Sequence, residues 1–101
     1  MPMPKKILLI EDDEVIASLL KELLESASYE VEVAADGQDA LTQLVTRITP
    51  APSLILLDLM MPKMDGFQFM TALNQNEFFN KIPIIAMSAD SQIKEKLRNT
   101  M

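Results

Sequence analysis

Acidic residues directly follow two apolar segments that lie far apart in the chain. The segment KILLI is followed by Glu11, Asp12 and Asp13, and the segment LILL is followed by Asp58. If both segments form parallel strands joined through helices, their carboxyl ends lie at the same edge of one sheet. Crowded carboxylates repel one another by roughly 4 kcal/mol per pair at close range and an effective dielectric of 20. The pattern therefore predicts a Mg²⁺ site at that edge, with a nucleophilic Asp beside it.

Strand and helix patterns alternate along the chain, and this alternation places the acidic residues at strand ends. The predicted strands are short apolar or alternating runs over residues 7–10, 29–34, 54–57 and 83–87. Helical stripes, with apolar residues at three- and four-residue spacing, cover residues 14–27, 40–48, 67–73 and 93–97. The alternation predicts an α/β fold in which helices cover a parallel sheet, with the second strand near the sheet edge.

The composition is typical of a globular domain and removes several kinds of chemistry. The chain has 101 residues, of which 49% are apolar and 24% charged, and we predict a single domain over residues 1–101. It contains no Cys and no His, which excludes disulfides, thiolate nucleophiles and histidine acid–base catalysis. A net charge of −6 argues against a nucleic-acid-binding surface. The apolar runs are too short for a membrane span and no signal-peptide pattern is present, so we expect a cytoplasmic protein.

The order of these motifs resembles the receiver domain of two-component response regulators, which has a flavodoxin-like (CheY-like) fold. Glu11 and Asp12 match the acidic pair after the family's first strand, and Asp58 matches the phosphorylated Asp after its third. The segment MPKMDG after Asp58 matches the family's turn, and Ser88 followed by Ala matches the hydroxyl residue that ends the fourth strand. Each motif alone is weak, but together they span nearly the whole chain. The resemblance implies a phosphorelay function.

The resemblance also implies a role for each matching residue. Asp58 would accept a phosphoryl group from a histidine kinase, a phosphotransfer protein or a small phosphodonor. Asp12, Asp58 and the backbone carbonyl of Met60 would bind Mg²⁺, and Glu11 would act through a water. Ser88 would move toward the phosphoryl oxygens as a switch hydroxyl. Such a protein would be an enzyme only in catalysing its own phosphorylation and dephosphorylation.

The end of the chain departs from the family pattern. A receiver typically continues into a fifth strand that ends in Lys-Pro and then into a fifth helix, and no segment here matches either. We therefore expect a sheet of four βα units, no catalytic lysine, and impaired phosphorylation or readout. Lys94 and Lys96 belong to the last predicted helix and do not take the place of that lysine. An uncovered fourth-strand edge and helix-1 face favour a homo-oligomer, an exchange of elements between chains, or a place within a larger protein.

Other interpretations of the same residues stay open. Strand-end acids and hydroxyls often cap helices, which is the preferred interpretation for Asp13 and Asp65 and a rival one for Ser88. A shortened receiver fold that serves only as an interaction or assembly module would not need Mg²⁺. A phosphohydrolase would carry a second Asp two positions after the nucleophile, where this chain has Met60. Dinucleotide binding would need a glycine-rich loop after the first strand, and the chain has none there.

Overall fold

Strands and helices alternate along the chain, as the sequence pattern predicts. The computed structural model describes residues 5–46, 51–58 and 66–87. The elements are β1 (Lys6–Ile10), α1 (Glu14–Ser26), β2 (Glu30–Ala34), α2 (Gly37–Thr46), β3 (Leu54–Asp58), α3 (Gly66–Asn74) and β4 (Ile84–Met87).

The strands form one parallel sheet in the order β2-β1-β3-β4. Ile10, the last residue of β1, pairs in register with Ala34 of β2 and with Leu57 of β3. The carboxyl ends of these three strands therefore lie at one edge of the sheet. This strand order is that of flavodoxin-like sheets, so the predicted fold class is confirmed, and β2 lies at the sheet edge as expected.

The apolar core lies on both faces of the sheet, which explains why the central strands are apolar without interruption. On one face, α2 and α3 cover a large buried cluster that comprises Leu8, Ile10, Ala34, Ala40, Leu44, Ile55, Leu57, Phe69 and Leu73. On the other face, α1 covers a smaller cluster that contains Leu9, Ala17 and Val31. Successive residues of β1 therefore enter opposite clusters, as strand geometry requires. Burial of the central strands on both faces fixes the positions of their carboxyl ends.

The turn between α1 and β2 sets the register of the edge strand. Ser28 has a φ angle of 73°, in the left-handed region, where the chain reverses after the helix. The backbone N–H of Tyr29 donates to the carbonyl of Leu24 at 3.1 Å, and that of Glu30 donates to the carbonyl of Lys5 at 2.9 Å. The second of these bonds begins the β1–β2 ladder, whose other end reaches the acidic segment after β1.

Several element bounds differ from the predicted ones by a few residues. Tyr29 and Pro83 precede β2 and β4 rather than belonging to them, and Asp58 is the last residue of β3. α2 begins at Gly37, before the predicted apolar stripe, because Asp36 accepts a hydrogen bond from its first turn. These shifts concern strand and helix ends, where local polar contacts decide the bounds.

Part of the prediction concerns residues that the structure does not describe. The predicted last helix, with Lys94 and Lys96, lies outside the described residues, and the expected absence of a fifth strand stays a prediction. Over the described ranges, no helix combines the length and the apolar character that crossing a membrane requires.

Candidate metal centre

The acidic segment after β1 is fixed by hydrogen bonds on both sides. On the strand side, the backbone N–H of Glu11 donates to the carbonyl oxygen of Ala34 at 3.0 Å, which extends the β1–β2 ladder. On the helix side, Oδ1 of Asp13 accepts from two backbone N–H groups of α1 at 3.0 and 3.1 Å, so the predicted helix cap is confirmed. Asp12 lies between these two anchored residues.

Asp58 is carried to the same edge by a central strand. It is the last residue of β3, it pairs in register with Met87 of β4, and it is only 1% exposed. Leu57 and Ile55, earlier in the strand, are both fully buried. Hydrophobic burial of the strand therefore fixes the backbone that presents the Asp58 carboxylate.

The structure brings the predicted acidic residues together. One carboxylate oxygen from each of Glu11, Asp12 and Asp58 lies within 4.8 Å of the other two. Glu11 and Asp58 are buried, at 2% and 1% exposure, whereas Asp12 is exposed. A hydrated ion can therefore reach the cluster from the Asp12 side.

The donor set and its size fit a magnesium ion. Mg²⁺ takes oxygen ligands at about 2.0–2.1 Å in octahedral geometry, so two direct ligands lie at most about 4.2 Å apart. The three oxygens lie within 4.8 Å of one another, so one ion could contact several of them, with waters completing its shell.

The electrostatics of the cluster also favour a cation. Two unit charges 4.8 Å apart repel by roughly 3–4 kcal/mol at an effective dielectric of 20, and two of the carboxylates are buried. Lys6 does not offset this charge, because it lies at the other end of β1 and pairs with Glu32 at 3.0 Å. A divalent ion at the cluster would relieve the repulsion among Glu11, Asp12 and Asp58.

The remaining predicted site residues divide into two groups. Asp13 is not part of the cluster, because its carboxylate caps α1. Met60, Asp65 and Ser88 lie outside the described residues, so their roles stay predictions.

Sequence reasoning missed the polar contacts at the start of α2. Oδ1 of Asp36 accepts from the backbone N–H of Asp39 at 2.8 Å, and Oδ2 of Asp39 accepts from that of Ala35 at 3.0 Å. Gln43 donates from Nε2 to the carbonyl of Val33 at 3.1 Å, which ties α2 to β2. The D-x-x-D spacing before an apolar stripe is close to a capping box, and it could have revealed the first two contacts.

The fold and the acidic edge define a flavodoxin-like α/β domain with a cluster of three carboxylates at the carboxyl ends of its strands. Residues 7–101 match the family described as the response regulator receiver domain. The chain belongs to this family, and the resemblance noted in its sequence is confirmed.

Individual relatives agree with this assignment. The chain is 45% identical over 84 residues to the transcriptional regulatory protein CpxR of Escherichia coli, covering 83% of this chain and 33% of CpxR. It superposes on chemotaxis protein CheY4 of Vibrio cholerae with a TM-score of 0.77 and 29% identity, covering 96% of this chain and 78% of that one. The Mn²⁺-bound form of response regulator Rcp1 gives a TM-score of 0.76 and 30% identity, covering 96% and 74%. Against the first curated regulators that it matches, the chain spans only 33% to 38% of their length.

Proposed function

We propose that Asp58 accepts a phosphoryl group in a two-component phosphorelay, with Asp12 and Asp58 as direct ligands of Mg²⁺ and Glu11 acting through a water. The observation that carries this proposal is that oxygens of these three residues lie within 4.8 Å of one another, with Asp58 buried. Family membership supports it, because aspartate phosphorylation and Mg²⁺ binding are general properties of receiver domains. The similar protein Rcp1 has been crystallised with Mn²⁺, another divalent ion that oxygen ligands suit.

The transfer itself needs one free oxygen of Asp58. That oxygen attacks the phosphorus of a phosphohistidine or an acyl phosphate, and the new P–O bond forms as the bond to the leaving imidazole or carboxylate breaks. The leaving group takes the electron pair, and the product is an aspartyl phosphate on Asp58. A bound Mg²⁺ supplies neutralisation of the charge that spreads over the phosphoryl oxygens. The carboxyl groups of Asp12 and Glu11 lie beside Asp58, so the site would favour transfer only when a cation is present.

Two further residues complete the proposed site from outside the described ranges. We expect the backbone carbonyl of Met60 to be the third protein ligand of the ion. We expect Ser88 to contact the phosphoryl group and to act as the switch hydroxyl. Both roles rest on the match of these positions to the family pattern.

Incubation with acetyl phosphate tests the proposal directly. With Mg²⁺ present, intact-mass spectrometry should show the addition of one phosphoryl group to the wild-type chain and none to the Asp58→Asn variant. Chelation of the metal by EDTA should abolish the addition, because the clustered carboxylates otherwise repel the anionic donor. Asp36→Asn is the matched control: it makes the same substitution near the end of β2, and its amide oxygen can still accept from Asp39.

Two results would contradict the proposal. The first is equal phosphoryl incorporation in the wild type and in Asp58→Asn, which would place the acceptor elsewhere. The second is an absence of incorporation at every Mg²⁺ concentration, with no detectable binding of the ion. The second result would leave only the role of an interaction or assembly module.

We propose a protein partner that carries the phosphoryl group, namely a histidine kinase or a phosphotransfer protein. The net charge of −6 disfavours attraction to nucleic acid, so we expect no direct contact between this domain and nucleic acid. We also expect the domain to work in the cytoplasm, where such kinases deliver their phosphoryl groups.

An assembly role is the second candidate, and the exposed outer strand favours it. Among the described strands β4 pairs only with β3, and its residue Ile85 is 53% exposed. Homo-oligomers formed through this edge and the face of α1 would bury that side chain. Light scattering at micromolar concentration should then show a dimer that Ile85→Lys weakens. Val45→Lys, at a 64% exposed site on α2, is the control. A wild-type chain that stays monomeric would contradict this candidate.

A further inference from the structure

We infer that Asp39 and Gln43 of α2 are positioning residues for Glu11, because their side chains clamp the end of β2 to which the backbone of Glu11 is hydrogen-bonded. The inference rests on the proposed Mg²⁺ site, in which Glu11 acts through a water. It gives the two α2 side chains a role in metal binding, although neither belongs to the cluster of Glu11, Asp12 and Asp58.

The backbone groups of β2 are directed alternately toward β1 and toward the outer edge of the sheet. At one end of the strand, the N–H of Glu30 donates to the carbonyl of Lys5 at 2.9 Å. At the other end, the carbonyl of Ala34 accepts from the N–H of Glu11 at 3.0 Å. The even-numbered residues of β2 therefore bond to β1. The carbonyl of Val33 consequently faces the outer edge, on which no described strand pairs with β2.

Two side chains of α2 bond to the outward backbone groups at the carboxyl end of β2. Nε2 of Gln43 donates to the carbonyl of Val33 at 3.1 Å. Oδ2 of Asp39 accepts from the N–H of Ala35 at 3.0 Å and lies 3.3 Å from Nε2 of Gln43. In a parallel sheet, the same two backbone groups would bond to a single residue of a further strand. The amide and the carboxylate therefore act together as a substitute for that strand.

The clamped groups lie on both sides of the residue that holds Glu11. Ala34 stands between Val33 and Ala35, and its carbonyl accepts from the N–H of Glu11. α2 is itself fixed, because its apolar face is buried in the larger core cluster. The position of the packed helix is thus transmitted through the end of β2 to the backbone of Glu11.

Loss of the clamp would let the end of β2 move, and Glu11 would then have to be ordered each time the ion binds. Groups that orient a metal's ligands commonly contribute about tenfold or more to metal affinity. Because the clamp acts one step further from the ion, we expect Gln43→Met to weaken Mg²⁺ binding about threefold to tenfold. Gln38→Met is the matched control, since it makes the same substitution at an exposed site of α2, and it should leave the affinity unchanged.

Isothermal titration calorimetry with MgCl₂, combined with thermal unfolding in EDTA, separates positioning from a purely structural role. If the role is only structural, Gln43→Met lowers the unfolding temperature but binds Mg²⁺ like the wild type, which overturns the inference.

A pair of variants at Asp39 separates the hydrogen bond from the charge. Asp39→Asn and Asp39→Ala both remove the negative charge, but only the Asn variant keeps an oxygen that can accept from Ala35. We therefore expect Asp39→Asn to bind Mg²⁺ about threefold or more tightly than Asp39→Ala. Equal affinities of the two variants would overturn the positioning role of Asp39.

Hydrogen exchange in the wild-type chain gives a further test that does not depend on a variant's folding. Coupling is reciprocal: if the clamp strengthens Mg²⁺ binding, then Mg²⁺ must strengthen the clamp. The amide of Ala35, which donates to Asp39, should exchange several-fold more slowly at saturating Mg²⁺. The amide of Tyr29, which donates to Leu24 at the opposite end of β2, should not change. An unchanged rate for Ala35 would overturn the inference.

The outcomes also separate this inference from the proposed function. Wild-type chain that binds Mg²⁺ and loses binding in Asp12→Ala supports the proposed site, whatever Gln43→Met does. Equal binding by the wild type and Gln43→Met overturns the positioning role alone. A wild type that binds no Mg²⁺ overturns both the site and the positioning role.

Discussion

At the scale of single residues, Asp58 is buried where its charge is unfavourable. Its carboxylate lies within 4.8 Å of oxygens from Glu11 and Asp12, and its residue is 1% exposed. Burial removes the water that would otherwise screen these charges. A buried carboxylate close to two others is unfavourable for the metal-free fold but favourable for binding a cation. Such an arrangement is typical of a functional residue.

We therefore predict that Asp58→Asn stabilises the domain when no metal is present. The substitution keeps the shape of the side chain and removes two like-charge interactions, so the free energy of unfolding in EDTA should rise by about 1–3 kcal/mol. Urea denaturation measures this change. Glu25→Gln, at an exposed site on α1, should change stability by less than about 0.5 kcal/mol. A loss of stability in Asp58→Asn would show that the cluster is not repulsive.

The individual acidic residues were largely predictable from the sequence. Glu11, Asp12 and Asp58 each follow an apolar run, and parallel strands bring such ends together. The cap role of Asp13 followed from its place before a helical stripe. The hydrogen bond from Glu11 to Ala34 was not predictable, because the acceptor is a backbone carbonyl and its position depends on the register of β1 and β2.

At the scale of elements, Phe69 anchors helix α3 in the core on its side of the sheet. Phe69 is fully buried in the larger cluster, whereas Phe78, in the segment after the helix, is 87% exposed. The two residues have the same type but opposite environments. They offer a matched pair for measuring what burial contributes to the position of α3.

We predict that Phe69→Ala lowers the free energy of unfolding by about 3–5 kcal/mol, because it removes a buried ring and leaves a cavity. Phe78→Ala should change it by less than about 0.5 kcal/mol, since the ring is largely in water in both states. Urea denaturation of the two variants tests both values. Similar losses in the two would contradict the assignment of α3 to the core.

The elements were predicted more securely than their ends. Continuous apolar strands and amphipathic stripes are set by burial on the sheet faces, and these patterns are visible in the sequence. The start of α2 was placed too late, because contacts of Asp36 and Asp39 begin the helix before its apolar stripe does. Hydrophobic periodicity reflects the burial of apolar side chains, so it does not reveal local polar contacts that begin a helix.

At the scale of the whole molecule, binding of Mg²⁺ should stabilise the folded chain. An ion that binds only the folded state adds about 1.4 kcal/mol to the free energy of unfolding at ten times its dissociation constant. We predict a Mg²⁺-dependent rise in the unfolding temperature of the wild type and none in Asp12→Ala. Thermal unfolding followed by circular dichroism measures this shift. An equal rise in both proteins would indicate that the ion acts away from the acidic cluster.

Membership of the receiver family was predictable for the whole chain, because several motifs occur in the correct order along it. The oligomeric state and the partner were not. They depend on which exposed side chains, such as Ile85, another surface complements, and a single sequence does not contain that second surface.

The central claim is that Asp12 and Asp58 share one divalent ion. Crystals grown with MnCl₂ test it most directly, because the anomalous signal of manganese locates the ion independently of the protein atoms. We predict one strong peak at direct coordination distance from a carboxylate oxygen of Asp12 and from one of Asp58, with Glu11 linked through a water. A map without a peak there, or with its only peak bound to neither carboxylate, would contradict the account.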